Sequence, residues 1–248
     1  MTTGTIPPTS RGGTAHASSD AKIPPALDWF FWFAVLCVVA LFVRAIYFTP
    51  VDILQGAAQK IYYIHIAAWL SAYTAVGLTA LMSIVYLWLH EPRADRMAEA
   101  CAEVGLVFLT VGLATGTIWA HRIWGAWWVW WDMRLTLTLF LWFVVAAYLV
   151  LRGAIEDESQ RARYSAVLGV LSALLIPFIH LSVYLFQARL HPMPIALKPG
   201  APSMSPEMLT TFLSSFVVFL LVCIAFIRAR YRVALLHERA IEITGDVA

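Results

Sequence analysis

The chain has 248 residues, 61% of them hydrophobic and only 13% charged, with a formal net charge of +2. The apolar residues gather into near-uncharged runs of about 20, the length of helix that crosses a hydrocarbon core of ~30 Å, which excludes a water-soluble globule. The small, dispersed charge gives no footprint for nucleic acid, and the runs lack the alternation of a transmembrane barrel.

Residues 1–25, rich in Thr, Ser, Gly, Pro and Ala, are expected to form a disordered cytoplasmic tail. The first apolar run, Trp29 to Phe48, is too long for a signal-peptide core and is followed by no small-residue cleavage site, so it reads as a retained anchor. Further spans are expected at about Ile61 to Leu89, Val104 to Ala120, Leu135 to Leu151, Ala166 to Phe186 and Met208 to Ile227. The predicted fold class is an all-α polytopic membrane protein, with six transmembrane helices in residues 26–228 and a basic cytoplasmic tail over 229–248. Gly105, Gly112 and Gly116 are expected to let helices approach closely, so that the spans pack without a ligand.

Lys and Arg are retained on the cytoplasmic side near span ends. With the N-terminus inside, the inner segments hold eleven of them and the outer loops only Lys60, Arg122, Arg134, Arg189 and Lys198, so both termini are expected in the cytoplasm. Arg44 falls in the outer part of the first span, where it is expected to snorkel toward headgroups.

The same parity places "WGAWWVWWDMRLT" (124–136) on the outer side, in a loop taken as 119–136. His65 enters with the second span from that side, His121 is expected within the loop, and His191 lies just beyond the fifth span. His180 lies deeper in that span, one turn after Pro177, where it either serves a ligand or bonds the loosened backbone. Tryptophan at an interface is ordinary, but Trp119, Trp124, Trp127, Trp128, Trp130 and Trp131 crowd six into thirteen positions. With Gly125 permitting close approach and Asp132 and Arg134 at hand, they suggest a platform for a large, flat, apolar ligand whose anionic edge meets Arg122, Arg134, Arg189 or Lys198. Haem meets that description: its faces stack on aromatics, its propionates want cations, and its iron accepts neutral imidazole. The isolated Cys37, Cys101 and Cys223 form no CxxC or CxxCH pattern, so thiols are not expected to hold it.

At this point the chain resembles the haem-handling "WWD" membrane proteins of cytochrome c maturation, most closely the CcmC type. The resemblance runs over all six spans and is sharpest in "KIYYIHIAAW" (60–69), "TGTIWAHRIWGAWWVWWDMRLT" (115–136) and the stretch ending at His191. It implies that His65 and His191 are axial ligands to the iron of haem b, and that Trp124, Gly125, Trp127, Trp128, Trp131, Asp132, Arg134, Leu135 and Thr136 belong to the loop motif. The loop carries one residue more between Trp128 and Asp132 than the family pattern, leaving Trp130 or Trp131 as the ligand-facing indole. The resemblance further implies a non-enzymatic carrier in a bacterial inner membrane. It would present haem at the periplasmic face to the chaperone CcmE, alongside the ABC transporter subunits CcmA and CcmB and the small membrane protein CcmD. A holocytochrome c synthase component, a b-type electron carrier and a secondary transporter are the alternatives.

Overall fold

The computed structural model describes residues 24–186 and 204–245, with side chains through residue 241. Among these residues the protein is all-helical apart from one isolated bridge, Asp52 to Gly56. Six helices are long and apolar enough to cross a membrane: α1 (Trp29–Val43, continued by a π turn over Arg44–Phe48), α2 (Ile61–Leu89), α3 (Pro92–Trp124), α4 (Met133–Ala154), α5 (Glu158–Leu185) and α6 (Pro206–Gly245).

Local chemistry sets the ends. Asp28, Glu91, Asp132 and Asp157 each accept backbone N–H groups from the first turn of α1, α3, α4 and α5, satisfying donors that a helix start leaves open. Pro92 opens α3, where its missing N–H costs nothing. At the far ends, His90 after α2 and Gly125 after α3 turn left-handed, with φ of 53° and 73°.

α3 and α6 exceed what apolar runs alone indicate. Thirty-three residues make α3 about 50 Å long, well beyond a hydrocarbon core, and it begins at Pro92 rather than near Val104. Its early turns carry Asp95, Glu99 and Glu103, which interrupt the apolar pattern but not the helix. α6 likewise runs on through residues 229–245. Paired charges explain both extensions. Arg152 of α4 donates to Asp95 at 2.6 and 2.8 Å and to Glu99 at 3.0 Å, Arg230 of α6 grips Glu103, and Arg96 pairs with Glu238.

α2 is the central helix, packed against α3, α5 and α6. Its buried face is built of small residues, among them Ala67, Ala68, Ser71, Ala72, Ala75 and Thr79, which bring neighbouring backbones close where apolar lipid gives no hydrophobic drive. The expectation for the three glycines holds. Gly105 faces Ala75 and Val76, Gly112 faces Trp69 and Gly116 faces His65, one continuous antiparallel register between α2 and α3. α1 stands at the periphery against α6, with Trp32, Leu36 and Val39 exposed as suits a lipid-facing helix.

Arg44 departs from expectation. It is half-buried and donates to the Thr211 hydroxyl of α6 at 3.0 Å, and that hydroxyl also meets Thr49 at 2.8 Å. A polar partner on the neighbouring helix offers the guanidinium a hydrogen bond inside the bundle, and it takes that over reaching for headgroups.

At the other end of α1, Asp28 accepts from Arg232 at 2.7 Å and Arg228 at 2.9 Å. The Arg232 hydrogen bond, reinforced by Phe31 N–H and Arg228, holds the Asp28 carboxyl below its ordinary value. A carboxyl depressed in the folded state stabilises fully above its unfolded value of about 4 and loses that contribution as pH falls through the folded value. Asp28→Asn should therefore melt below wild type at pH 7 and converge with it as the medium is acidified past that range. A gap independent of pH would mean the clamp contributes nothing.

Candidate functional site

Helix alternation brings the end of α1, the starts of α2, α4 and α6 and the ends of α3 and α5 to one end of the bundle. His65, all the clustered tryptophans, Arg122, Asp132 and Arg134 belong to this end. His191, Arg189 and Lys198 lie outside the described residues.

His65 sits one turn into α2, half-buried against α3. Its Nδ1 lies 3.0 Å from the Gly112 carbonyl oxygen and 3.3 Å from the Thr115 hydroxyl. A carbonyl only accepts, so Nδ1 carries the proton, and in the neutral ring the lone pair falls to Nε2. Such a bond, Nδ1–H donating to a backbone oxygen, typically orients a metal-bound histidine.

The tryptophan segment divides into a buried part and a displayed part. Trp119 donates from Nε1 to Gln55 at 3.0 Å and meets Trp124 edge-on at 5.2 Å. Trp128 is half-buried, its Nε1 fully covered without a hydrogen-bond partner among the described residues. Trp127, Trp130 and Trp131 are 57%, 68% and 83% exposed, so both indoles that the sequence leaves as alternatives project outward. Val129, between them, is buried and pins the segment to the bundle.

Two expectations change here. His121 is not in the loop: α3 continues to Trp124, and His121 occupies its last helical turn with its ring stacked on Trp127 at 3.9 Å and 5° between planes. The helix persists because nothing from Ala120 to Trp124 breaks it, and Gly125, whose N–H bonds to His121 oxygen, ends it. Gly125 is thus required by its positive φ, since a Cβ there would meet no protein atom within 4 Å.

Asp132 is 5% exposed and caps α4, accepting from Arg134 N–H at 3.0 Å and Leu135 N–H at 3.2 Å. Thr136 reaches back to the Trp130 carbonyl at 2.9 Å, so cap and indole segment lock together. Removing such a cap costs about 1 kcal/mol. Asp132→Ala should leave membrane insertion near normal while making the 125–132 segment more susceptible to limited proteolysis. A severe loss of inserted protein would contradict this.

Sequence reasoning missed the α1–α2 loop. Asp52 Oδ1 accepts from Leu54 and Gln55 N–H at 2.8 and 2.7 Å, and Gly56 takes φ of 59°. This rigid turn offers Gln55 to Trp119 and leaves Ile53 and Leu54 98% and 91% exposed beside the aromatic segment. The Asp52…Gly56 spacing was the available signal. Farther along α5, His180 is exposed, bonds the Ile176 carbonyl at 3.0 Å and touches Tyr73 edge-on at 5.3 Å; this is a backbone bond, but not to the Ala173 carbonyl that Pro177 leaves without its helical donor.

As cargo, haem suits this donor set. A histidine is held with Nδ1 on a carbonyl oxygen, broad indole faces are displayed, Trp128 Nε1 and His121 Nδ1 are covered without partners among the described residues, and Arg122 and Arg134 stand at the same end. Among the described residues no group of three or more His, Cys, Asp or Glu could hold a bare metal ion. Cys101 and Cys223 are buried, as befits structural thiols.

The family model of heme exporter protein C matches residues 16–244. Heme exporter protein C of Haemophilus influenzae is 33% identical over 84% of this chain and 85% of its own length. The protein of that name from Bradyrhizobium diazoefficiens is 32% identical over 83% and 76%, and that from Escherichia coli K12 is 34% identical over 65% and 69%. A match through all six spans, together with a histidine and a tryptophan segment gathered at one end of the bundle, places this chain in the heme exporter protein C family.

Proposed function

We propose that the protein is a carrier that holds haem b as cargo at the tryptophan end and hands it on during cytochrome c maturation. The observation that supports this most is His65, whose Nδ1–H is tied to Gly112 oxygen at the end that also displays Trp127, Trp130 and Trp131. His65 is assigned as one axial ligand and His191, in the sequence between α5 and α6, as the other. The indoles cover the ring faces, Trp119, Trp124 and Trp128 back them, Gly125 and Asp132 shape the segment, and Arg122 and Arg134 meet the propionates.

By the excess of Lys and Arg at the opposite end, the termini are cytoplasmic and the site faces the periplasm from a bacterial inner membrane. The receiver is the chaperone CcmE, with CcmA, CcmB and CcmD as companions; any covalent attachment takes place on that receiver. Bound iron supplies affinity for imidazole, and this chain supplies the two nitrogens, the aromatic cover and the cations. Release requires that docking of the receiver bias the outer segment toward a state in which one histidine no longer binds.

The test is absorption spectroscopy of the haem-loaded protein with His65 or His191 replaced by alanine. Each substitution should change the spectrum; two unchanged spectra end the proposal. Sidedness is read by placing a cysteine at Ile53, 98% exposed, in a background without Cys37, Cys101 and Cys223. An impermeant thiol reagent should reach it from the periplasm and not from the cytosol.

A further inference from the structure

We infer that Gly116, with Gly112 and Thr115, is a positioning element for His65: α3 presents a notch that fixes both the direction of the imidazole and the nitrogen that keeps its lone pair. This deepens the reading of His65 as a haem ligand and rests on it, but its first observable needs no haem.

A Cβ built at Gly116 would lie 2.6 Å from His65 Cε1 and 3.2 Å from Nδ1. A Cβ contact at 2.6 Å does not occur, and one at 3.2 Å is tight, so a larger residue at 116 makes the ring give way. One turn back on α3, a Cβ at Gly112 would lie 2.8 Å from Trp69 Cε2. The rings of His65 and Trp69, one turn apart on α2, therefore occupy successive glycine notches one turn apart on α3. Each limits the other, since they meet edge-on with centroids 6.2 Å apart and planes at 83°.

The notch also carries the polar groups that select the tautomer. Gly112 presents its carbonyl to Nδ1 at 3.0 Å. The Thr115 hydroxyl lies 2.6 Å from Val111 oxygen and 3.2 Å from Gly112 oxygen; its one hydrogen goes to these carbonyls, which leaves an oxygen lone pair for Nδ1 at 3.3 Å. Two acceptors converge on one ring nitrogen, and that nitrogen must be the protonated one. Glycine at 116 keeps the ring near enough to use them. The small-residue seam between α2 and α3 thus does more than let two helices approach: at its outer end it aims a ligand.

The experiment has two arms. In ligand-free protein labelled with 15N-histidine, the His65 ring nitrogens should report Nδ1 protonated and Nε2 bare. Gly116→Ala should shift that signature toward the other tautomer or a mixture. In the second arm, Gly116→Ala should lower haem affinity by about 10–100-fold, the loss typical when an outer partner of a metal-bound histidine is disturbed. Gly77→Ala on α2, where a Cβ meets nothing within 4 Å, should match wild type in both arms. Thr115→Val removes one acceptor without filling the notch and should weaken binding less, in the same direction; it serves as the deciding variant if Gly116→Ala fails to accumulate.

The inference is overturned if wild-type His65 carries its proton on Nε2, or if Gly116→Ala and Thr115→Val both keep wild-type nitrogen shifts and haem affinity. Failure of the ligand reading looks different. His65→Gln would then leave the haem spectrum unaltered, whatever the nitrogen shifts of the ligand-free protein report.

Discussion

Arg152→Met should destabilise the membrane-inserted protein by about 3–5 kcal/mol, the cost of stranding buried charge. The Arg152 side chain is only 6% exposed and bridges Asp95 and Glu99 of α3 from the last turn of α4. Its guanidinium also lies 5.8 Å from the Tyr148 ring. Methionine fills similar volume but leaves two largely buried carboxylates without their guanidinium partner. The triple variant Arg152→Met, Asp95→Asn, Glu99→Gln removes the stranded charge as well and should recover much of the loss, because the penalty lies in the unpaired partner more than in the pair. Thermal unfolding in detergent measures both. Glu99 and Gly116 are seventeen residues apart on one helix, about 26 Å, so the fraction that folds should still bind haem normally. A single variant as stable as wild type would mean that the charges are solvated and the cluster is not structural.

His65→Gln should abolish the haem signature while sparing the fold. Glutamine carries an amide N–H able to reach the Gly112 oxygen, so the hydrogen bond at the α2–α3 seam survives in kind, but it brings no imidazole nitrogen for iron. Haem affinity should fall at least ~100-fold, the upper end of what disturbing a mere outer partner causes, and the absorption maximum of any residual complex should move. The melting temperature of ligand-free protein should change little, since most of the core around α2 is Ala, Ser and Val packing that position 65 does not touch. Equal loss of fold and haem would make the residue a packing element alone.

The spans were legible because unbroken apolar runs have a single explanation in a chain this poor in charge. Asp132 was legible as a member of the aromatic segment, but its role as the cap of α4 emerges only from the structure. The extent of α3 was not: Asp95, Glu99 and Glu103 read as the edge of a span until Arg152 and Arg230, fifty or more residues away, are seen to pair with them. Contacts such as Trp119 with Gln55, 64 residues apart, leave no local periodicity at all. His121 was misplaced by the same limitation, because a stretch dense in tryptophan looks like loop although nothing in it prevents helix. The register that seats His65 in the Gly116 notch depends on how two helices slide against each other, and spacing along one of them does not fix that.

α3 is one uninterrupted rod from Pro92, beside the acidic cluster, to Trp124, beside the displayed indoles, whereas α5 contains Pro177. A stiff member about 50 Å long behaves as a lever: leaning it by roughly 5° about its charged foot would carry its tip sideways by ~4 Å. A small change of tilt set at the acidic end would therefore be magnified at the indole end, without any residue between them changing conformation.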